Sequence, residues 1–160
     1  MAFTPTARTA ACIAGLCSVM VIAGLAQSAA LGLGTWKLNV AQSKFSPGPA
    51  PKSSTVTFKA AGQGVSAVID GVGQDGTKVH WEYTANFDGK PYPVKGNPDG
   101  DMVVATRVNP TTIETAYTLK GKPTLLVRRT LSADGKTLTV TQTGTNGQGQ
   151  KTNNVLMFDQ

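Results

Sequence analysis

Apolar and polar residues alternate with a period of two along much of the chain after residue 31. In the run from Lys78 to Phe87 one face carries every second residue: Val79, Trp81, Tyr83, Ala85 and Phe87. Two later runs repeat the pattern, with these residues on their more apolar faces: Leu125, Val127, Arg129 and Leu131, then Leu138 and Val140. This alternation predicts β-strands that bury one face and expose the other to solvent.

Short groups of Gly, Pro, Asn and Asp separate the alternating runs. They fall at 61–64, 71–76, 88–90, 96–100, 109–110, 120–122, 133–135 and 144–149. These residue types favour turns because Gly and Asn tolerate positive φ, Pro restricts φ, and Asp binds its own backbone. The spacing predicts an all-β domain, an antiparallel up-and-down β-barrel of about eight to ten strands, with at most a short helical turn.

One connection is rich in proline. Between Ser43 and Ser53 the chain contains Pro47, Pro49 and Pro51, which excludes a central strand there. We therefore expect the first strand to begin near Thr35 and the second near Ser54, joined by an extended segment that crosses one end of the barrel.

Residues 1–30 have a different composition from the rest of the chain. Arg8 precedes an apolar stretch from Ala10 to Ala26, and small residues follow up to Ala30. This layout predicts a secretory signal peptide at 1–30, followed by a single barrel domain at 31–160. A retained membrane anchor is the alternative, because about 17 apolar residues is the lower limit for spanning a bilayer.

Export to the periplasm or the medium follows from the signal peptide. Both cysteines, Cys12 and Cys17, lie inside that segment, so the remaining domain contains no thiol and no disulfide. Without Arg8, 14 Lys and Arg stand against 9 Asp and Glu, a net charge of +5. These charges are scattered over turns, which favours solubility over nucleic-acid binding and allows at most weak contact with an anionic membrane surface. We expect a monomer.

Recognised catalytic and metal-binding patterns do not occur in this sequence. One histidine and dispersed carboxylates give no zinc site, so we expect no metal and no cofactor. Asn97, Asp99 and Asp101 resemble the start of a calcium loop, but Met102 replaces its glycine. His80 lies on the polar face of its strand, where it is either a surface residue or a ligand contact. We therefore expect no catalytic residues and a protein that is not an enzyme.

Two stretches resemble the calycin superfamily, the lipocalins and fatty-acid-binding proteins. Gly34-Thr35-Trp36 opens the first expected strand, as Gly-x-Trp does in those barrels. The stretch from Gly121 to Leu131 is similar to a late hairpin of the fatty-acid-binding proteins, in which a Gly-Lys-x-Thr turn leads to an Arg-x-Leu strand. The resemblance implies a lipocalin-like barrel that encloses a small ligand. It also implies that Arg129 points into the cavity and helps to hold a carboxylate.

Two features of the fatty-acid-binding proteins are missing. Their last strand ends in Arg-x-Tyr, where this chain has Leu156-Met157-Phe158, and their helical lid is replaced by the proline-rich segment. The face assigned to Arg129 has independent support, because neighbouring residues of a strand point to opposite faces and only Arg129 lies among apolar neighbours.

The sequence therefore favours an exported binding protein for a small apolar or amphipathic molecule. The expected ligand-binding residues are Arg129, Trp81, Tyr83, Phe87 and Tyr117, and Trp36 is expected to close one end of the barrel. Alternatively, Arg129 stacks on Trp36 as a structural cation–π pair and the barrel is filled. The protein would then be an interaction module of the envelope or cell surface, and the volume of the interior distinguishes the two hypotheses.

Overall fold

The computed structural model describes residues 31–160. The predicted signal peptide at 1–30 lies outside the described residues. Within the described part, strands dominate and helix is limited to one short 3₁₀ turn, Val40–Gln42. The prediction of an all-β domain with at most a short helical turn is confirmed.

The domain consists of ten antiparallel strands that form one closed barrel. The strands are β1 Gly34–Leu38, β2 Ser53–Ala61, β3 Gly64–Val72, β4 Lys78–Asn86, β5 Pro91–Lys95, β6 Met102–Asn109, β7 Thr112–Leu119, β8 Lys122–Leu131, β9 Thr137–Thr145 and β10 Lys151–Asp159. Each strand pairs with the next along the chain, and β1 pairs with both β2 and β10. Closure in this order gives the predicted up-and-down barrel, in which every strand pairs with two neighbours.

The alternation seen in the sequence corresponds to the inner and outer faces of the barrel. On β9, Leu138 and Val140 are buried, as predicted. On β8, Leu125 and Leu131 are buried, whereas Leu126 is 42% exposed. A strand of a barrel turns every second side chain into the interior, so these runs were read in the correct register.

The proline-rich segment does not simply cross the end of the barrel. Lys44 pairs with Val155 of β10, and the backbone N–H of Asn153 donates to the carbonyl of Ser46 over 2.7 Å. The expectation of a crossing is therefore wrong for residues 44–46. The reason is that β1 ends at Leu38, so the first half of β10 needs another partner for its backbone groups, and 44–46 precede the prolines and can supply one.

The two ends of the barrel differ. At one end Trp36 is 1% exposed and its Nε1 donates to the carbonyl of Gly32 over 2.9 Å. Leu131 and Leu138 approach the same glycine, so these side chains close that end around Trp36. The opposite end is formed by the connection at residues 39–52 and by the loops at 73–77, 96–101, 120–121 and 146–150. A cavity opens at this second end.

Candidate functional site

The barrel contains a cavity of about 380 Å³. Its lining comes from β2, β3, β4 and β7 to β10, and from Pro51 at the mouth. Ser53 and Ser54 of β2, Gln142 of β9 and the loop residue Asp99 give the cavity its polar groups near the mouth. Deeper in, the lining is mainly aromatic and aliphatic, and Arg129 supplies the basic group. A mostly apolar cavity with a few polar groups is typical of a small-molecule site.

One wall of the cavity is aromatic. Trp81 and Tyr83 of β4 have ring centroids 6.3 Å apart and planes inclined by 20°. Tyr117 of β7 meets both rings edge-on, at 6.1 Å from Trp81 and 6.2 Å from Tyr83. The structure therefore brings together three of the predicted ligand-binding residues, in the offset and edge-to-face geometries that aromatic rings prefer.

Both tyrosine hydroxyls remain protonated at neutral pH. Burial raises the pKa of Tyr83, and the charge of Arg129 opposes this only in part. The pKa of Tyr117 is raised well above its ordinary value, chiefly by burial and then by the neighbouring Tyr83. A protonated phenol can donate a hydrogen bond as well as accept one. The aromatic wall thus offers donors as well as ring surfaces.

Arg129 points into the cavity, as its position on the apolar face of β8 predicts. Arg129 is 6% exposed, whereas Arg128 points outward, with its Nε 3.7 Å from Oε2 of Glu114. Neighbouring arginines on one strand therefore have opposite environments. The strand register inferred from the sequence is confirmed.

The aromatic partner of Arg129 is Phe58 of β2. The guanidinium carbon lies 3.7 Å from the centroid of the Phe58 ring. The alternative in which Arg129 stacks on Trp36 is therefore wrong, because Trp36 packs around Gly32 at the closed end of the barrel. The contact with Phe58 occupies one face of the guanidinium and leaves its N–H groups available.

None of the three guanidinium nitrogens of Arg129 has a hydrogen-bond partner within residues 31–160. Burial lowers the pKa of Arg129, while Tyr83 and Tyr117 raise it. Arginine nevertheless stays protonated in proteins, so the group remains a cation. An unpaired buried charge costs several kcal/mol, and a cation–π contact of about 0.5–2 kcal/mol offsets only part of that cost.

The wall opposite the tyrosines is apolar, and none of its residues was among the expected ligand-binding residues. It consists of Val56 and Phe58 of β2, Val140 of β9, and Leu156 and Phe158 of β10. Alternation could have identified the β2 part of this wall, because Thr55 and Thr57 flank Val56, but not the β10 part, because residues 155–158 are all apolar. Nothing in the sequence indicates that Phe58 meets Arg129, since β2 and β8 are not neighbours in the sheet.

Phe87 is not part of the cavity wall. It follows the last residue of β4, near the closed end, and packs partly buried against the apolar core. Val79, on the same face of β4, lies at the mouth and is 38% exposed. The predicted face is thus buried in the middle of the strand and partly exposed at both ends. The reason is that β4 runs from one rim of the barrel to the other.

The polar residues considered as chemical candidates lie outside the cavity or in turns. His80 is on the outer face, where its Nδ1 lies 2.7 Å from the Asp70 carboxylate. The side-chain amide oxygen of Asn97 accepts a hydrogen bond from the backbone N–H of Asp99. The Asp99 carboxylate accepts one from the backbone N–H of Gly147, so both side chains stabilise loops. Within residues 31–160 no cluster of three His, Cys, Asp or Glu residues could hold a metal ion.

No helix among residues 31–160 combines the length and the apolar character needed to cross a membrane. Comparison with protein-family models, with curated proteins and with solved structures found no match to this chain.

Proposed function

We propose that this protein binds a small apolar or amphipathic molecule inside its barrel and does not convert it chemically. The observation that carries the proposal is the cavity of about 380 Å³, open at one end and lined mainly by apolar side chains. A filled barrel would favour an interaction module instead. A volume of several hundred cubic ångströms favours a binding protein, because well-packed interiors contain few voids larger than a water molecule.

The proposed roles follow from the positions of the side chains. Trp81, Tyr83 and Tyr117 provide one wall for the molecule, and the apolar residues around Phe58 provide the other. Arg129 meets a polar group of the molecule. Trp36 closes the far end and takes no part in binding.

Two further elements of the proposal concern family and location. We propose a calycin-like protein, on the basis of the Gly-x-Trp start of β1, the Arg129 strand and the closed up-and-down barrel. We also propose export to the periplasm or the medium, on the basis of the signal-like composition of residues 1–30. The barrel would then bind its molecule outside the cytoplasm as a monomer.

The test is binding of an apolar fluorescent probe to the protein purified from expression of the full chain. We expect probe binding to change the emission of Trp81, and the Trp81→Phe variant to lose that change. Val127→Phe places a larger side chain in the cavity and should abolish binding. Leu126→Phe is the matched control, because Leu126 is the preceding residue of β8 and points outward.

Two outcomes would contradict the proposal. If apolar probes, fatty acids, retinoids and sterols all fail to bind, the interior does not accept ligands and the interaction module is favoured. If a probe binds equally well to Val127→Phe and to the parent protein, its site lies outside the barrel.

A further inference from the structure

The cavity combines a buried cation, a cluster of aromatic rings and a small volume. From this combination we infer that the ligand is a small aromatic acid, with its deprotonated acid group on Arg129 and its ring system against Trp81, Tyr83 and Tyr117. The inference rests on the proposed function and deepens it, because that function leaves open whether the molecule is charged or neutral, aromatic or aliphatic.

The requirement for an anion comes from Arg129. All three guanidinium nitrogens are buried and have no hydrogen-bond partner among the described residues. Phe58 covers one face of the group, so the N–H groups at its edge remain for binding. A guanidinium edge matches a carboxylate, which accepts two parallel hydrogen bonds from it. A neutral apolar ligand would leave this charge unpaired in an environment that contains still less water.

Acidic side chains of the described protein do not meet this need. Among the residues that line the cavity, Asp99 is the acidic one, and it lies in the loop at the mouth. Its carboxylate accepts a hydrogen bond from the backbone of Gly147 over 2.9 Å. The negative charge that pairs with Arg129 therefore comes from the ligand.

Two tyrosines can extend the anion site. Tyr83 and Tyr117 line the same cavity as Arg129, and both are electrostatically coupled to its charge. Their rings pack edge to face with centroids 6.2 Å apart, and this packing restricts where the two hydroxyls can lie. Protonated hydroxyls that line this cavity can donate to the acid group that Arg129 binds. We expect them to increase affinity less than Arg129 does, because a neutral donor makes a weaker bond to an anion than a charged one.

The requirement for a flat ligand comes from the wall and from the volume. Trp81 is only partly buried, and its ring faces the cavity together with those of Tyr83 and Tyr117. Aromatic rings gain from stacking and edge contacts beyond simple area burial. A cavity of about 380 Å³ is near the small end of the range for small-molecule sites. One ring or a fused pair of rings suits this volume better than a long acyl chain.

The test compares three probes by isothermal titration calorimetry on protein purified from expression of the full chain. The probes are 2-naphthoate, the neutral 2-naphthylmethanol, and the aliphatic acid decanoate. We expect 2-naphthoate to bind at least about tenfold more tightly than either of the others, because each lacks one of the two recognised features.

Variants assign the two features to residues. Arg129→Leu should weaken 2-naphthoate by about tenfold or more and remove the preference for the acid over the alcohol. Arg128 is the outward-facing neighbour, so Arg128→Leu should leave the affinity for 2-naphthoate and the preference for the acid unchanged. Tyr117→Phe should weaken the acid more than the alcohol, and Trp81→Leu should reduce the preference for 2-naphthoate over decanoate. If Arg129→Leu does not fold, discrimination between the acid and the alcohol by the parent protein decides the point.

Failure of the inference can be distinguished from failure of the proposed function. Equal binding of 2-naphthylmethanol and 2-naphthoate would overturn the anion site, and tighter binding of decanoate would overturn the aromatic preference. In both cases the barrel would still bind a small molecule. If none of the three probes binds and apolar probes fail as well, the inference and the proposed function fall together.

Discussion

The guanidinium carbon of Arg129 lies 3.7 Å from the centre of the Phe58 ring, across the interior of the barrel. The two residues belong to β8 and β2, which are not neighbours in the sheet. Their contact places a cation deep in a mainly apolar cavity, with one face covered and its nitrogens free of protein partners within residues 31–160. This arrangement links the stability of the fold to the proposed ligand site.

Arg129→Leu is expected to be as stable as the parent protein or more stable. The substitution removes a buried charge whose burial costs several kcal/mol, and it loses a cation–π contact of about 0.5–2 kcal/mol. The free energy of unfolding from urea denaturation, without ligand, measures the difference. Arg128→Leu is the control and should change stability by less than about 1 kcal/mol, since its ion pair is exposed. A loss of more than about 2 kcal/mol in Arg129→Leu would assign it a structural role.

Leu138→Ala is expected to destabilise the closed end of the barrel. Leu138 is 1% exposed and packs beside Trp36 and Leu131 around Gly32. Truncation of a buried leucine removes its burial and leaves a cavity, which costs about 2–5 kcal/mol. Leu126→Ala, on the outer face, should cost far less. Equal losses in the two variants, measured by thermal or urea unfolding, would contradict the assignment of faces.

His80 is expected to titrate above the ordinary value of 6.5, because its hydrogen bond to Asp70 raises its pKa. The charged pair stabilises the fold below pH 6.5, and this contribution is lost as the pH rises through the pKa of the folded protein. NMR titration of the single histidine measures the pKa directly. Asp70→Asn should lower it, because the hydrogen bond to Asp70 is the largest cause that raises the pKa and the charge of Asp70 adds to it. A pKa unchanged by Asp70→Asn would show that the pair does not form in solution.

Gly64→Ala is expected to destabilise the pairing of β3 with β4. A Cβ at Gly64 would overlap the carbonyl oxygen of Ala85, so the backbone of one strand must move. Forcing atoms into a packed site costs about 1–3 kcal/mol. Gly89→Asn is the control, because Gly89 has open space around it and asparagine tolerates its positive φ of 75°. Unfolding midpoints for the two variants should differ clearly, and a Gly64→Ala protein as stable as the control would show that β3 and β4 are further apart.

Much of this fold was predictable from local pattern. The alternation on β4 and β8 assigned Tyr83 and Arg129 to the interior and Arg128 to the outside, because neighbouring side chains of a strand point to opposite faces. Turn residues placed the hairpins, and the prolines after Ser46 marked the irregular connection between β1 and β2. These features depend on residues close in sequence, so one sequence suffices to infer them.

Other features were decided by closure of the barrel. Alternation shows that Arg129 faces inward, but the position of β2 opposite β8 decides that it meets Phe58 and not Trp36. The same closure decides that Phe87 lies near the closed end, and that a cavity remains beside Tyr83 and Tyr117. The pattern of a strand specifies which face a side chain takes. The partner across the interior depends on strand number, register and tilt together, which only the assembled barrel determines.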